Sequence, residues 1–472
     1  MKRAEGIIES VKTLIFAMLF VGMVLLASAY ILSTQGQDIF ASDGLPFDKV
    51  LSIGFSDEYG VKEFDSRYIS PEMICIRQNG GPSKAIIAGD GYLFDAYDHV
   101  MPIISEMFGE NGKCERIEGD AGRSRWKGAL GSNDHIYVAY HSQFPFSILY
   151  AYSNATDDTN IYRSLKDAEA YISEFVVLEA NGTCELVARD LDANVYVFTS
   201  ENAAFDIKSV ALYAGRGVNV VFEDEIPGNS IRLGSMPVLD AGILIKRIFA
   251  QNVIAEKLGD PSADGFRSLM RLFNFNPDKL NSYSDTENES ASVFVEAHGT
   301  LRMSEALLEY NSEFDGGISI LDFLSYRKSD QGYDLYDALK ATQGFVEALE
   351  RISKESFGGD AGMGITGISY TNGVLAVEYS YFFENVRIDY GDAGYAFRFE
   401  ISEDAFTHIS VRPLSLETNG DKSACFSQRL KLNMEMDALE KSGAKNIDMK
   451  LGYKVDSIGT ADISAEWTVF AK

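Results

Sequence analysis

Few residues in this chain are spaced for chemistry. Gly362-Met363-Gly364-Ile365-Thr366-Gly367 spells GxGxxG, a pattern that cradles phosphate when a strand precedes it and a helix N-terminus follows. Here the order is an expected helix and then an expected hairpin, so the stretch reads as a flexible connector. Asp190, Asp192 and Asn194, with Glu201 at the twelfth place, have EF-hand loop spacing. The sixth place holds Val195 where that loop's sharp turn needs glycine, and the flanks alternate as strands, so a polar hairpin turn is the better reading.

The histidines, His99, His135, His141, His298 and His408, form no HExxH pair, and no cysteine lies near one in sequence. Cys75, Cys114, Cys184 and Cys425 form no CxxC, which removes a sequence-encoded zinc or thioredoxin-like site and leaves one or two disulfides open. Glu296 and Glu309 could be imagined as a glycosidase pair, but 70 acidic residues supply such pairs by chance. Tyr379, Tyr381 and Phe383 alternate as a strand and read as core. No catalytic residue, metal or cofactor is therefore expected, and the chain reads as a non-enzyme.

The elements that would have to position any site form an α+β pattern. Strands are expected at Ile74–Ile76 and Ala85–Ile87, followed by a helix carrying Leu93, Tyr97, Val100, Ile104 and Met107 at helical spacing. A strand from His135 to His141 leads into Phe144-Pro145-Phe146, then a helix over about Ser164–Ser173, and strands on both sides of Asn181-Gly182. From Asp240 to about Phe273 the pattern reads as helical, with strands at Ala291–Ala297 and Thr300–Met303. A helix through Leu335, Leu339, Val346 and Leu349 precedes strands joined at Asn372-Gly373, and a helix over Cys425–Lys441 precedes two last strands.

At 472 residues with 46% hydrophobic and 12% aromatic content, the chain has enough apolar mass for several folded domains. Its net charge of −28, from 42 basic and 70 acidic residues, argues against nucleic acid as a partner, since that requires clustered Lys and Arg.

The N-terminus sets the topology. Leu14 to Leu32 runs nineteen positions without a charge behind Lys2, Arg3 and Lys12, long enough to cross a bilayer once, with the basic tail in the cytoplasm. Ala27-Ser28-Ala29 also fits a signal-peptide cleavage site. The apolar run continues through Tyr30, Ile31 and Leu32, which favours an uncleaved anchor, and either reading exports the same bulk. The expected organisation is a cytoplasmic tail (1–13), a transmembrane helix (14–32) and a linker (33–45). An N-terminal extracytoplasmic α+β domain (46–235), a middle α+β domain (236–315) and a C-terminal α+β domain (316–472) follow, with antiparallel sheets packed on helices and the last two domains alike. Localisation is expected to be the cell membrane, single-pass.

Several stretches in order resemble the YycH regulators and their shorter YycI-type relatives: the basic tail and span, Ile69-Ser70-Pro71-Glu72-Met73-Ile74, Phe144-Pro145-Phe146, Phe294-Val295-Glu296 before Leu308-Glu309-Tyr310, Leu451-Gly452-Tyr453, and Glu466-Trp467-Thr468-Val469. The resemblance implies a non-enzymatic, membrane-anchored protein of Gram-positive bacteria. It would contact the sensor histidine kinase of the cell-wall two-component system together with a paralogous YycI-like membrane protein. In the span, Ile15, Met18, Gly22, Leu25 or Leu26, Ala29 and Ser33 share one helical face, and Gly22, Ala29 and Ser33 are small enough to let another helix approach closely in lipid. The alternative class is an exported surface module binding a wall fragment, peptide or protein, with the anchor passive.

Overall fold

The computed structural model describes residues 65–471 except 66–67, 88–91, 109–111, 147, 150–169, 191–193, 223–231, 234–236, 253–263, 285–290, 305–306, 314–315, 325–332, 354–360, 391–393, 419, 445 and 456–462. The expected span and its interaction face, Ile15 to Ser33, lie outside the described residues. Those that are described belong to one unit, Phe55–Lys472.

The N-terminal half contributes β1 (Pro71–Arg77), β2 (Ser83–Ile87), β3 (Lys113–Ile117), β4 (His135–Pro145), β5 (Tyr171–Ala180), β6 (Thr183–Asp190), β7 (Val195–Thr199), β8 (Val218–Phe222), β9 (Arg232–Leu233) and β10 (Pro237–Leu239). Helices α1 (Leu93–Met107), α2 (Gly119–Leu130) and α3 (Ile207–Ala214) interrupt them. Nine of these strands form a sheet in the order β10-β8-β2-β1-β4-β5-β6-β7-β3. The Asn181-Gly182 hairpin is as expected: both residues have positive φ, 53° and 79°, the conformation that matches the twist of the strands it joins. Phe144, Phe146, Ile148 and Leu149 are buried. Phe146 stacks on Phe198 and meets Phe108 edge-on, so this apolar run serves the core.

The second half holds β11 (Ile243–Lys246), β12 (Phe249–Asn252), α4 (Asp264–Leu272), β13 (Ser282–Ser284), β14 (Ser292–Glu296), β15 (Gly299–Met303), β16 (Leu308–Ser312) and β17 (Ile318–Ser319). After α5 (Leu335–Ser353) come β18 (Gly362–Thr371), β19 (Val374–Phe383), β20 (Val386–Tyr390), β21 (Phe397–Ser402), β22 (Ala405–Val411), β23 (Leu414–Glu417), β24 (Lys422–Cys425), α6 (Gln428–Ser442), β25 (Asn446–Val455) and β26 (Ala465–Ala471). The main path is β13-β14-β15-β16-β22-β21-β19-β20-β25-β26. Nearly all pairs are antiparallel; β25 runs parallel to β20 and β9. The expected boundary at 315/316 falls between β16 and β17, both of which pair with β22, so one sheet runs across it.

Three expectations are corrected. Asp240 to Phe273 is not helical throughout: β11 and β12 pair with β24 and β23, and only α4 is helix, because short apolar runs such as Ile243-Leu244-Ile245 suit either period until a partner strand decides. Residues Tyr171–Ser173, expected at the end of a helix, open β5, and Ala170 before them is not helical; residues 164–169 of that expected helix lie outside the described residues. The third is the GxGxxG stretch, which is no connector but the body of β18, paired with β19. Its Gly364 stands where a Cβ would lie 2.8 Å from the Phe382 ring.

Helix α5 is the spine of the second half, its Leu339, Ala341, Phe345, Val346 and Leu349 all buried. The Phe345 ring lies 5.4–5.9 Å from those of Phe273, Phe323, Phe399 and Phe406, tying α5 to the sheet. Gly299 opens β15 under Tyr310, where a Cβ would sit 2.6 Å from the Asn311 carbonyl oxygen and 2.7 Å from the Tyr310 ring. Gly299→Ala is expected to cost about 1–3 kcal/mol by overpacking, measured as a lower urea midpoint; an unchanged midpoint would show that the strand relaxes freely.

Candidate functional site

Among the described residues, the motifs that could have carried chemistry serve the fold; Asp192 lies outside them. Asp190 spends its carboxylate within its own turn, accepting from the Asn194 backbone and side chain at 2.8 and 2.9 Å and from the Tyr196 hydroxyl. Glu296 accepts from the Asn276 backbone N–H at 2.7 Å. Glu309 pairs across the sheet with Arg302, which faces Val293. Glu296 and Glu309 are therefore two strands and three residues apart, with odd spacing that puts them on opposite faces. Tyr379, Tyr381 and Phe383 are core residues, as their alternation indicates.

The four cysteines carry free thiols in separate places. Burial raises all of them, Cys114 and Cys184 to about 12 and Cys425 to about 11, with Cys75 well above its usual value. Such thiols stay protonated at neutral pH and are poor nucleophiles.

Buried charge occurs in two networks. Glu174 on β5 accepts from Tyr137 at 2.7 Å and is ion-paired with Arg189, whose guanidinium lies 5.0 Å over Trp126 of α2. On α5, Asp337 and Lys340 pair at 3.0 Å with both side chains buried, and burial lowers the lysine to about 8. The first network joins β4, β5, β6 and α2, the second lies within α5, and both satisfy charges that would be costly alone.

The exposed surface is more informative. Helix α6 starts at Ser427, whose hydroxyl accepts from the Leu430 N–H at 3.2 Å, and stops at Gly443 with φ 75°. Gln428, Leu432 and Leu439 face inward, Gln428 accepting from the Leu239 N–H at 3.0 Å. Leu430 and Met434, four residues apart on α6, share its outer face and are 46% and 64% exposed, and Phe426, just ahead of the Ser427 cap, is 62% exposed. Leu244, 65% exposed, belongs to β11, the strand paired with β24 directly before Phe426. Neighbouring charges are neutralised locally, Arg429 by Asp240 and Lys431 by Glu435. Exposed apolar side chains rimmed by satisfied polar groups make this the candidate interaction surface among the described residues. The sequence carries this signal as i, i+4 apolar spacing at Leu430 and Met434, but the same spacing describes a buried face, and burial alone distinguishes them.

Among the described residues no helix is long and apolar enough to cross a membrane; the expected membrane face, Ile15, Met18, Gly22, Leu25, Leu26, Ala29 and Ser33, lies outside them.

No protein-family model matches this sequence, and no curated protein matches it by sequence. The fold is another matter. Two large, mostly antiparallel sheets with helices packed on them make an α+β fold, and that fold is similar to one already solved. The crystal structure of YycH from Bacillus subtilis matches 87% of this chain and 96% of that chain, with a TM-score of 0.55 at 10% sequence identity.

Proposed function

We propose that the chain is a non-enzymatic, membrane-anchored accessory regulator of a sensor histidine kinase in a cell-wall two-component system, acting with a paralogous YycI-like membrane protein. The observation that carries this reading is the YycH-like fold extending over 87% of the chain. The α6 stripe supports it as a surface suited to the exported part of the kinase complex, and the face through Gly22, Ala29 and Ser33 is its counterpart in the bilayer.

Regulation then needs no chemistry. A partner that packs more tightly on one state of the kinase shifts the population toward that state by the difference in packing energy; equal packing shifts nothing. The deciding experiment replaces residues 1–35 with an unrelated single-span anchor and measures kinase co-purification and a wall-stress reporter. Loss of both supports coupling through the bilayer, whereas retention of both makes the exported surface the whole mechanism; a parent chain that never retains the kinase refutes the proposal. Within the span, Gly22→Leu is expected to reduce kinase co-purification several-fold with the exported part still folded, and an unchanged pull-down would remove the span from the mechanism.

A further inference from the structure

The two sheets meet where the hairpin between β19 and β20 presses on β1 and β4. At its tip Glu384 and Asn385 both have positive φ, 47° and 62°, a tight reversal that projects Asn385 outward. The Asn385 side-chain amide donates to the Pro71 carbonyl oxygen, 314 positions earlier in the chain. Beside it, the His141 ring of β4 lies 4.3 Å from that of Phe382, and Lys450 of β25 reaches the His141 carbonyl oxygen at 3.5 Å.

His141 is buried, and its Nε2 has no hydrogen-bond partner. Asn385 acts on the ring to favour a proton there, while the charged groups acting on it from the facing strands are both cations, Lys450 from β25 and Arg387 from β20, and disfavour one. Arg387 carries its own counterion, Asp389, at 2.7 Å. Phe382 supplies the aromatic wall from β19, and Gly364 of β18 is the close neighbour behind that ring. A proton on His141 would thus enter a closed site between two positive charges.

We infer that this contact is an acid-released latch: the hairpin tip and Asn385 hold the sheets together while His141 is neutral, and protonating His141 frees the tip from β1 and β4. Burial, then Lys450 and Arg387, outweigh the opposing pull of Asn385 and hold the imidazole at about 3, against an ordinary value of 6.5. A depressed histidine favours the closed contact fully above 6.5, and that preference is lost as pH falls from 6.5 toward 3. At pH 5 the closed-to-open ratio should have dropped about 30-fold.

The test is hydrogen exchange on the full-length chain in detergent, comparing protection factors at pH 7.5 and 5.0 for peptides covering 381–386 and 71–75, with α5 as the internal reference. Wild type should lose about 30-fold in protection at the latch relative to α5. His141→Phe, which keeps the ring contact, and His141→Gln, which keeps a polar group, should lose no protection on acidification; one folded variant suffices. Equal protection of wild type at both pH values overturns the inference, as does a variant that opens like wild type. Since the readout is internal to this chain, the result stands apart from whether a kinase is its partner.

Discussion

Phe345→Ala should lower the stability of the folded part by about 3–5 kcal/mol, the range for deleting a fully buried aromatic ring and leaving a cavity. The expectation rests on position. Four rings from α4's C-terminal flank, the turn before α5, β21 and β22 meet this one side chain, so the void is lined by elements that cannot all close on it. A urea midpoint series should show the loss, with Phe94→Ala as a companion whose ring is 44% exposed and whose cost should be much smaller. A Phe345→Ala penalty below about 1 kcal/mol would mean that the core repacks and that α5 is not its spine.

Placing two carboxylates on the outer face of α6, Leu430→Glu with Met434→Glu, should leave folding intact and reduce retention of the kinase complex by tenfold or more. Each apolar side chain buried at an interface contributes roughly 1.5–3 kcal/mol, and a carboxylate forced into the same place adds a desolvation cost. Both residues are substantially exposed in the isolated chain, so circular dichroism and the urea midpoint should barely move. Retention equal to the parent would assign the stripe to something other than this partnership.

How much of this was legible beforehand depends on whether a signal is local. The Asn-Gly hairpins at 181–182 and 372–373 were readable because two adjacent residues fix the turn, and α1 and α5 because their apolar spacing is long and regular. The two ribbons β11–β24 and β12–β23 were not, since their partners stand more than 160 positions away and Ile243-Leu244-Ile245 carries no period of its own. Helix α2 was missed as well: Gly119, Gly122 and Gly128 weaken its propensity, and what holds it is Trp126, buried against the sheet. The candidate site divides in the same way. Apolar spacing on α6 could be seen, but that Leu430 and Met434 face solvent follows from Gln428 and Leu432 being claimed by the other side.

The tie from Gln428 to Leu239 spans 189 positions, and that from Gln343 to Asp65 spans 278. β25, inserted between β20 and β26, comes from the last thirty residues. A ribosome making this chain must therefore deliver almost all of it before the second sheet can close. Until then, half-built edges wait open, and assembly should be slow, dependent on holding factors, and intolerant of even short C-terminal truncation.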